Sequence, residues 1–214
     1  CALPIYDEIQ ELLRVILSLR PADTLRRHTY TVLFGLLACT GIRIGEALRL
    51  YVSDSEDISA LAIRNSKRIS ERLVPVHSST LDVLRDYEQR RTTYLSDPTV
   101  ASFFISDYGR PLSHHSVMDV FRRLRVKAGI RTTGRQPRIH DLRHTFACNR
   151  ILQWQNEGVP IDHAIASLST YLGHVEPTDT YWYLSAIPEL LDASCDRLER
   201  HNISMPKEEA DEDL

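Results

Sequence analysis

The chain has 214 residues, of which 43% are hydrophobic, enough for one large domain or two small ones, and no apolar run is long enough to span a bilayer. Its formal net charge of −3 argues against binding nucleic acid by bulk charge alone. The last ten residues hold one lysine and five acids, however, so the remainder has 25 basic and 24 acidic side chains and local patches decide.

Apolar residues at helical spacing predict a first helix over Ile5 to Leu19, on Ile9, Leu12, Leu13 and Ile16. A second runs from Arg26 to Cys39 on Tyr30, Leu33, Phe34 and Leu37, and Thr40-Gly41 breaks it. A third begins at Arg43, with Ile44, Ala47, Leu48 and Leu50, and places Glu46 one turn beyond Arg43. The aliphatic runs Ile58 to Arg64 and Leu73 to Val76 form a β-hairpin with Lys67 and Arg68 near its turn, and Phe103-Phe104-Ile105 would add a third strand. Helices follow over Thr80 to Tyr94, on Leu81, Leu84 and Tyr87, and from a Ser113 cap, on Val117, Val120, Phe121 and Leu124.

Gly129 to Arg138 is a loop carrying Arg131, Arg135 and Arg138 and no acid; it is either a solvated basic loop or one that touches phosphates. It leads into Arg138-Ile139-His140-Asp141-Leu142-Arg143-His144-Thr145-Phe146-Ala147, the opening of a long helix that continues to Trp154. On a helical wheel His140, Arg143, Ala147, Ile151 and Trp154 share one face, with Leu142, Phe146 and Leu152 on the other side. A helix apolar on two sides is central, so it should carry His140 and Arg143 into the interior. A buried guanidinium needs an anion or a carboxylate, and helix N-termini favour anions. His-x-x-Arg there reads either as half of a phosphate clamp or as a salt-bridged arginine beside a terminal histidine. After a stop near Gly158-Val159-Pro160, a helix on Ile161, Ile165, Leu168 and Leu172 ends at Gly173, which puts His174 just beyond it. Thr180 to Leu184 follows, then a last helix with Leu190, Leu191 and Leu198, and an acidic, disordered tail over 201–214.

Taken together, Arg43 in Thr40-Gly41-Ile42-Arg43-Ile44-Gly45-Glu46, Lys67 in a hairpin, His140-x-x-Arg143, Leu172-Gly173-His174 and a tyrosine nine residues later resemble the tyrosine recombinase family of phage integrases and Xer-like site-specific recombinases. The resemblance runs from about Ile5 to Arg200, and the segment from Asp179 to Leu191 resembles a subgroup encoded by bacterial mobile elements. It implies a mainly α-helical catalytic domain with a small antiparallel sheet (α+β) over residues 1–200, with the family's N-terminal core-binding domain outside this chain. It also implies cleavage and rejoining of double-stranded DNA through a 3′-phosphotyrosyl link, without metal or other cofactor. Arg43, Arg143, His140 and His174 would hold the phosphate, Glu46 would orient Arg43 or His140, and Lys67 would protonate the leaving oxygen. Tyr183, at the family's spacing from His174, would be the nucleophile in preference to Tyr181. Arg68, Arg131, Arg135 and Arg138 would contact DNA, and the helix from Pro188 to Arg200 would dock on a neighbouring protomer in a dimer or tetramer.

The four cysteines (Cys1, Cys39, Cys148, Cys195) are scattered with no C-x-x-C pair, which argues against a zinc site or disulfide framework and for a reducing, cytoplasmic setting. No signal peptide opens the chain, and its start at Cys1 reads as that of a fragment. Three alternatives stand beside the recombinase reading. One is a type IB topoisomerase or telomere resolvase with the same active-site logic. Another is a metal phosphohydrolase using His140, Asp141, His163 and His174. The third is a DNA-binding module that has lost catalysis.

Overall fold

A computed structural model describes residues 6–19, 24–55, 59–64, 71–95, 100–130, 136–174 and 178–185. Among the described residues, eight helices and one hairpin follow in order: α1 (Tyr6–Leu17), α2 (Leu25–Thr40), α3 (Ile44–Ala47), β1 (Ala60–Arg64), β2 (Glu71–Pro75), α4 (Ser78–Tyr94), α5 (His114–Lys127), α6 (Ile139–Asn156), α7 (Ile161–Leu172) and α8 (Thr178–Ser185). A 3₁₀ turn at Val52–Ser55 lies between α3 and β1. The mainly α architecture with a two-stranded antiparallel sheet is the one expected.

The larger of two apolar clusters packs α1, α2, α4, α5 and the hairpin around Leu33, Phe34, Tyr87 and Phe121. Ile139 and Leu142, in the first turn of α6, belong to it as well. The smaller cluster is built from the rest of α6 with α7 and α8: Ala147, Cys148, Ile151, Ile165, Leu168, Leu172 and Tyr183. Helix α6 is therefore shared, as apolar residues on two sides of its wheel require.

Strands β1 and β2 pair Ala60 with Pro75 and Arg64 with Glu71. Period-two alternation buries Leu61, Ile63 and Val74 and leaves Leu73 outside. Arg72, two residues from Val74, is thereby turned inward.

Three sequence expectations need correction. Phe103-Phe104-Ile105 is buried but adds no third strand; this stretch makes isolated bridges at Ser102 with Tyr51 and Ile105 with Pro111. The Val100 and Ser102 carbonyls accept from the buried Arg91 guanidinium, and the Phe103 N–H donates to the Leu50 carbonyl at 2.8 Å, so these groups are unavailable to a ladder. The third helix is one turn long, although Leu50 is buried as expected. His140 is exposed, whereas Arg143 is interior.

Candidate active site

Two helices end in left-handed glycines at one place. Gly41 caps α2 with φ 64°, and Gly173 caps α7 with φ 66°. At each a side chain is strained by the backbone and blocked by a neighbour, the Phe146 ring at Gly41 and the Arg72 guanidinium at Gly173. Arg143, from the first turns of α6, enters between these ends. Its Nη1 donates to the Gly41 carbonyl at 2.7 Å and its Nη2 to the Leu172 carbonyl at 2.8 Å. A cation at two helix C-termini meets orphan carbonyls and the negative ends of both dipoles, which offsets the cost of burying it. Burial, then the charge of Arg43, still pulls the Arg143 pKa down to about 10, so it remains cationic near neutrality.

Arg43 precedes the single turn of α3. Its backbone N–H donates to Glu46 Oε2 at 2.8 Å, its Nη1 to Glu46 Oε1 at 3.2 Å, and Nη1 reaches the Gly173 carbonyl at 3.5 Å. Its side chain is 39% exposed, leaving a charged surface for an anion. Glu46 is 4% exposed and is also gripped by Arg72, whose Nη1 and Nη2 donate to Oε1 and Oε2 at 2.9 and 3.0 Å. Burial would raise the Glu46 pKa, but the hydrogen bonds from Arg72 and the Arg43 backbone hold it below its ordinary value. Of the two roles expected for Glu46, orienting Arg43 matches these contacts. The Arg72 Nε–H also donates to the Tyr171 carbonyl at 3.0 Å, tying the hairpin to the end of α7.

The αL turn at Gly173 lets the His174 N–H donate to the Ser169 carbonyl, fixing that histidine just past α7. His174 Nε2 lies 2.9 Å from Arg143 Nη2, and Nδ1 lies 2.8 Å from Thr180 Oγ1. Burial, then the charges of Arg143 and Arg43, lower its pKa from 6.5 to about 4, so the ring is neutral at pH 7. The Tyr183 ring stacks near His174 at 6.2 Å between centroids and 12° between planes. Tyr183 is 2% exposed, within reach of the charge of Arg143. Burial raises the Tyr183 pKa, against the opposing charge of Arg143. Tyr181, by contrast, is 52% exposed. Thr180 and Tyr183 stand i, i+3 on one buried face of α8, which turns Tyr181 away.

Four of the expected residues, Arg43, Arg143, His174 and Tyr183, thus come together. His140 approaches through His144, with ring centroids 4.6 Å apart, and His144 sits 5.5 Å from the Tyr183 ring and 4.7 Å from Trp182. Arg138 is the exposed residue preceding α6, with its backbone N–H donating to Asp141 at 2.7 Å. Lys67, Arg68, Arg131 and Arg135, and the leucines of the expected last helix, lie outside the described residues. Sequence reasoning gave no role at the site to Thr180 or Arg72. The i, i+3 relation to Tyr183 and the period-two relation to Val74 were the available signals. Among the described residues no group of three His, Cys, Asp or Glu could hold a metal ion. The proposed metal ligand His163 is exposed on α7.

A model of the phage integrase family matches residues 6–189. The chain is 40% identical over 201 residues to the putative integrase/recombinase y4rB of Sinorhizobium fredii, covering 91% of this chain and 64% of that protein. It is 28% identical to the tyrosine recombinase XerC of Lacticaseibacillus casei, covering 82% of this chain and 55% of XerC. The solved structure of XerA recombinase matches with a TM-score of 0.68 at 25% identity over 92% of this chain and 66% of XerA. XerH bound to palindromic difH matches with a TM-score of 0.69 over 92% of this chain and 54% of XerH, at an identity, 21%, that speaks for fold alone. The chain spans 64% of y4rB and about half of XerC and XerH. With the family model covering most of its length and y4rB 40% identical to it, the chain belongs to the phage integrase family.

Proposed function

We propose that this chain is the catalytic domain of a site-specific DNA recombinase or integrase from a mobile genetic element, acting on double-stranded DNA in the cytoplasm. The observation that carries the reading is a tyrosine packed against a buried arginine and a neutral histidine, with a second, half-exposed arginine on the same glycine turn. The Tyr183 phenol loses its proton and its oxygen attacks a DNA phosphorus. The P–O5′ bond breaks, and the departing 5′-oxygen takes a proton. Attack by another strand's 5′-hydroxyl reverses these steps, so bond energy is conserved without a nucleotide cofactor. Arg43 and Arg143 offset the charge that gathers on the non-bridging oxygens, and His174 and His140 add hydrogen bonds. Lys67 is the candidate acid for the 5′-oxygen, because arginines do not give up their protons. Arg68, Arg131, Arg135 and Arg138 contact phosphates.

The partner is duplex DNA: XerH is solved on its difH substrate, and lambda integrase as a dimer on a core site and a tetramer on a Holliday junction. By the same likeness the chain works as a dimer to tetramer on DNA, with the segment from Pro188 to Arg200 docking on a neighbour. Residues 201–214 form a separate acidic tail.

Covalent capture tests the reading. The 214-residue chain is incubated with a library of nicked duplexes bearing random flanks, and DNA that stays with protein through denaturation is recovered. We expect adduct with the wild type and with Tyr181→Phe, none with Tyr183→Phe, and survival of adduct formation in excess EDTA. Adduct from Tyr183→Phe would move the nucleophile elsewhere. Loss in EDTA with recovery on adding a divalent ion would favour metal-dependent hydrolysis.

A further inference from the structure

The hydrogen bonds around His174 dictate which nitrogen carries its proton. A guanidinium can only donate, so Arg143 Nη2 at 2.9 Å makes Nε2 an acceptor. A neutral ring then has its proton on Nδ1, and that N–H donates to Thr180 Oγ1 at 2.8 Å. Both nitrogens are occupied, and neither offers a proton to an incoming phosphate. The function proposed above needs the opposite arrangement, with Nε2–H donating to a phosphate oxygen and Nδ1 accepting.

We propose that Thr180 is a positioning residue that lets His174 exchange these two tautomers. Its hydroxyl accepts from Nδ1–H in the free protein. When a phosphate oxygen draws the Arg143 N–H away from Nε2, the hydroxyl rotates to donate to Nδ1. In a brief opening that admits water, one proton leaves Nδ1 and one arrives at Nε2, and the net charge of the ring is unchanged. A side chain that only donates or only accepts would lock one form. An apolar one would leave a half-buried nitrogen without a bond, a cost that falls on whichever tautomer needs it. Thr180 has no exposed surface, so water does not readily take over the role of the hydroxyl. Its place on α8, three residues before Tyr183, couples the state of His174 to the helix that carries the proposed nucleophile.

The inference rests on the recombinase reading, but its first test needs no DNA. In the free 214-residue chain, two-bond ¹H–¹⁵N correlations of labelled histidine at pH 7 should show His174 with its proton on Nδ1. The same spectrum of the Tyr183→Phe chain on a nicked duplex recovered by covalent capture should show it on Nε2. A free chain already protonated at Nε2, or no change on DNA, overturns the assignment. In single-turnover cleavage of that duplex, Thr180→Val should be slower by about 10- to 100-fold, the range seen when partners behind metal-bound histidines are removed. Its DNA affinity should not change, and Thr180→Ser should restore most of the rate. Wild-type cleavage by Thr180→Val also overturns the assignment, as does an equal loss in Thr180→Ser. The spectra of the free chain stand if Thr180→Val fails to fold. Absence of any wild-type adduct would instead remove the recombinase reading, and this inference with it.

Discussion

At the scale of single residues, the site depends on burying one arginine. Arg143 is 2% exposed, yet its charge meets two helix-end carbonyls rather than a carboxylate. The nearby Glu46 carboxylate, engaged by Arg43 and Arg72, offsets this charge only in part, and the neighbours of Arg143 feel its field. His174 is the clearest case: burial, then Arg143 and Arg43, take its pKa from 6.5 to about 4. Because the folded value lies below the ordinary one, the unfolded chain binds a proton at His174 more readily than the folded chain. Stability therefore falls as pH drops from 6.5 toward about 4, and the His174 contribution is complete and flat above 6.5. We expect the melting temperature of His174→Gln to decline less than that of the wild type over this window. The two melting curves, recorded at matched ionic strength from pH 4 to pH 7, check this. Parallel declines would show that the ring does not titrate as its surroundings require.

At the scale of elements, the hairpin is fastened to the site by one side chain. Arg72 spans from β2 to Glu46 in the turn of α3 and to the Tyr171 carbonyl near the end of α7. Removing one member of a buried pair costs about 3–5 kcal/mol because the remaining charge is uncompensated. Arg72→Met should approach that range, tempered by the contact Glu46 keeps with Arg43, while Glu46→Gln combined with Arg72→Met should recover part of the loss. Urea unfolding of the double-mutant cycle measures the coupling, and strict additivity would mean that the pair holds nothing together. This strut also marks the limit of what the chain discloses on its own. Helices and hairpin are legible because burial imposes periods of 3.6 and 2. Arg43, Arg143, His174 and Tyr183 are legible because glycine caps and spacing carry a family pattern. A helical wheel, however, gives angle without depth, so it places His140 beside Arg143 although the first turn of α6 projects His140 into solvent. Nor does strand propensity disclose that Arg91, from α4, claims the Val100 and Ser102 carbonyls that a third strand would need.

At the scale of the whole molecule, the site lies on the seam between two cores of unequal size. The larger holds α1, α2, α4, α5 and the hairpin; the smaller holds most of α6 with α7, α8 and Tyr183. A tyrosine that is 2% exposed cannot touch a DNA phosphate where it stands, so the proposed chemistry requires α8 to move. Over its described residues α8 packs on α6 and α7, and tertiary packing of this kind supplies most of a helix's stability. Among the α8 residues whose side chains are described, Thr180 and Tyr183 are buried, whereas α2 buries nine residues. Local openings follow such differences in buried surface. Native-state hydrogen exchange should accordingly show the amides of Thr178–Ser185 exchanging well before those of Leu25–Thr40, with the later turns of α6 between them. Cavities cut into the two cores separate the units further. Leu168→Ala, in the smaller, should speed exchange in α7 and α8 more than in α2, and Leu33→Ala, in the larger, should do the reverse. Each is expected to cost about 2–5 kcal/mol of the stability of its own unit. If all these helices exchange together, and both substitutions speed them equally, the chain opens as one body. Freeing Tyr183 would then require global unfolding, which a working recombinase could not tolerate at every turnover.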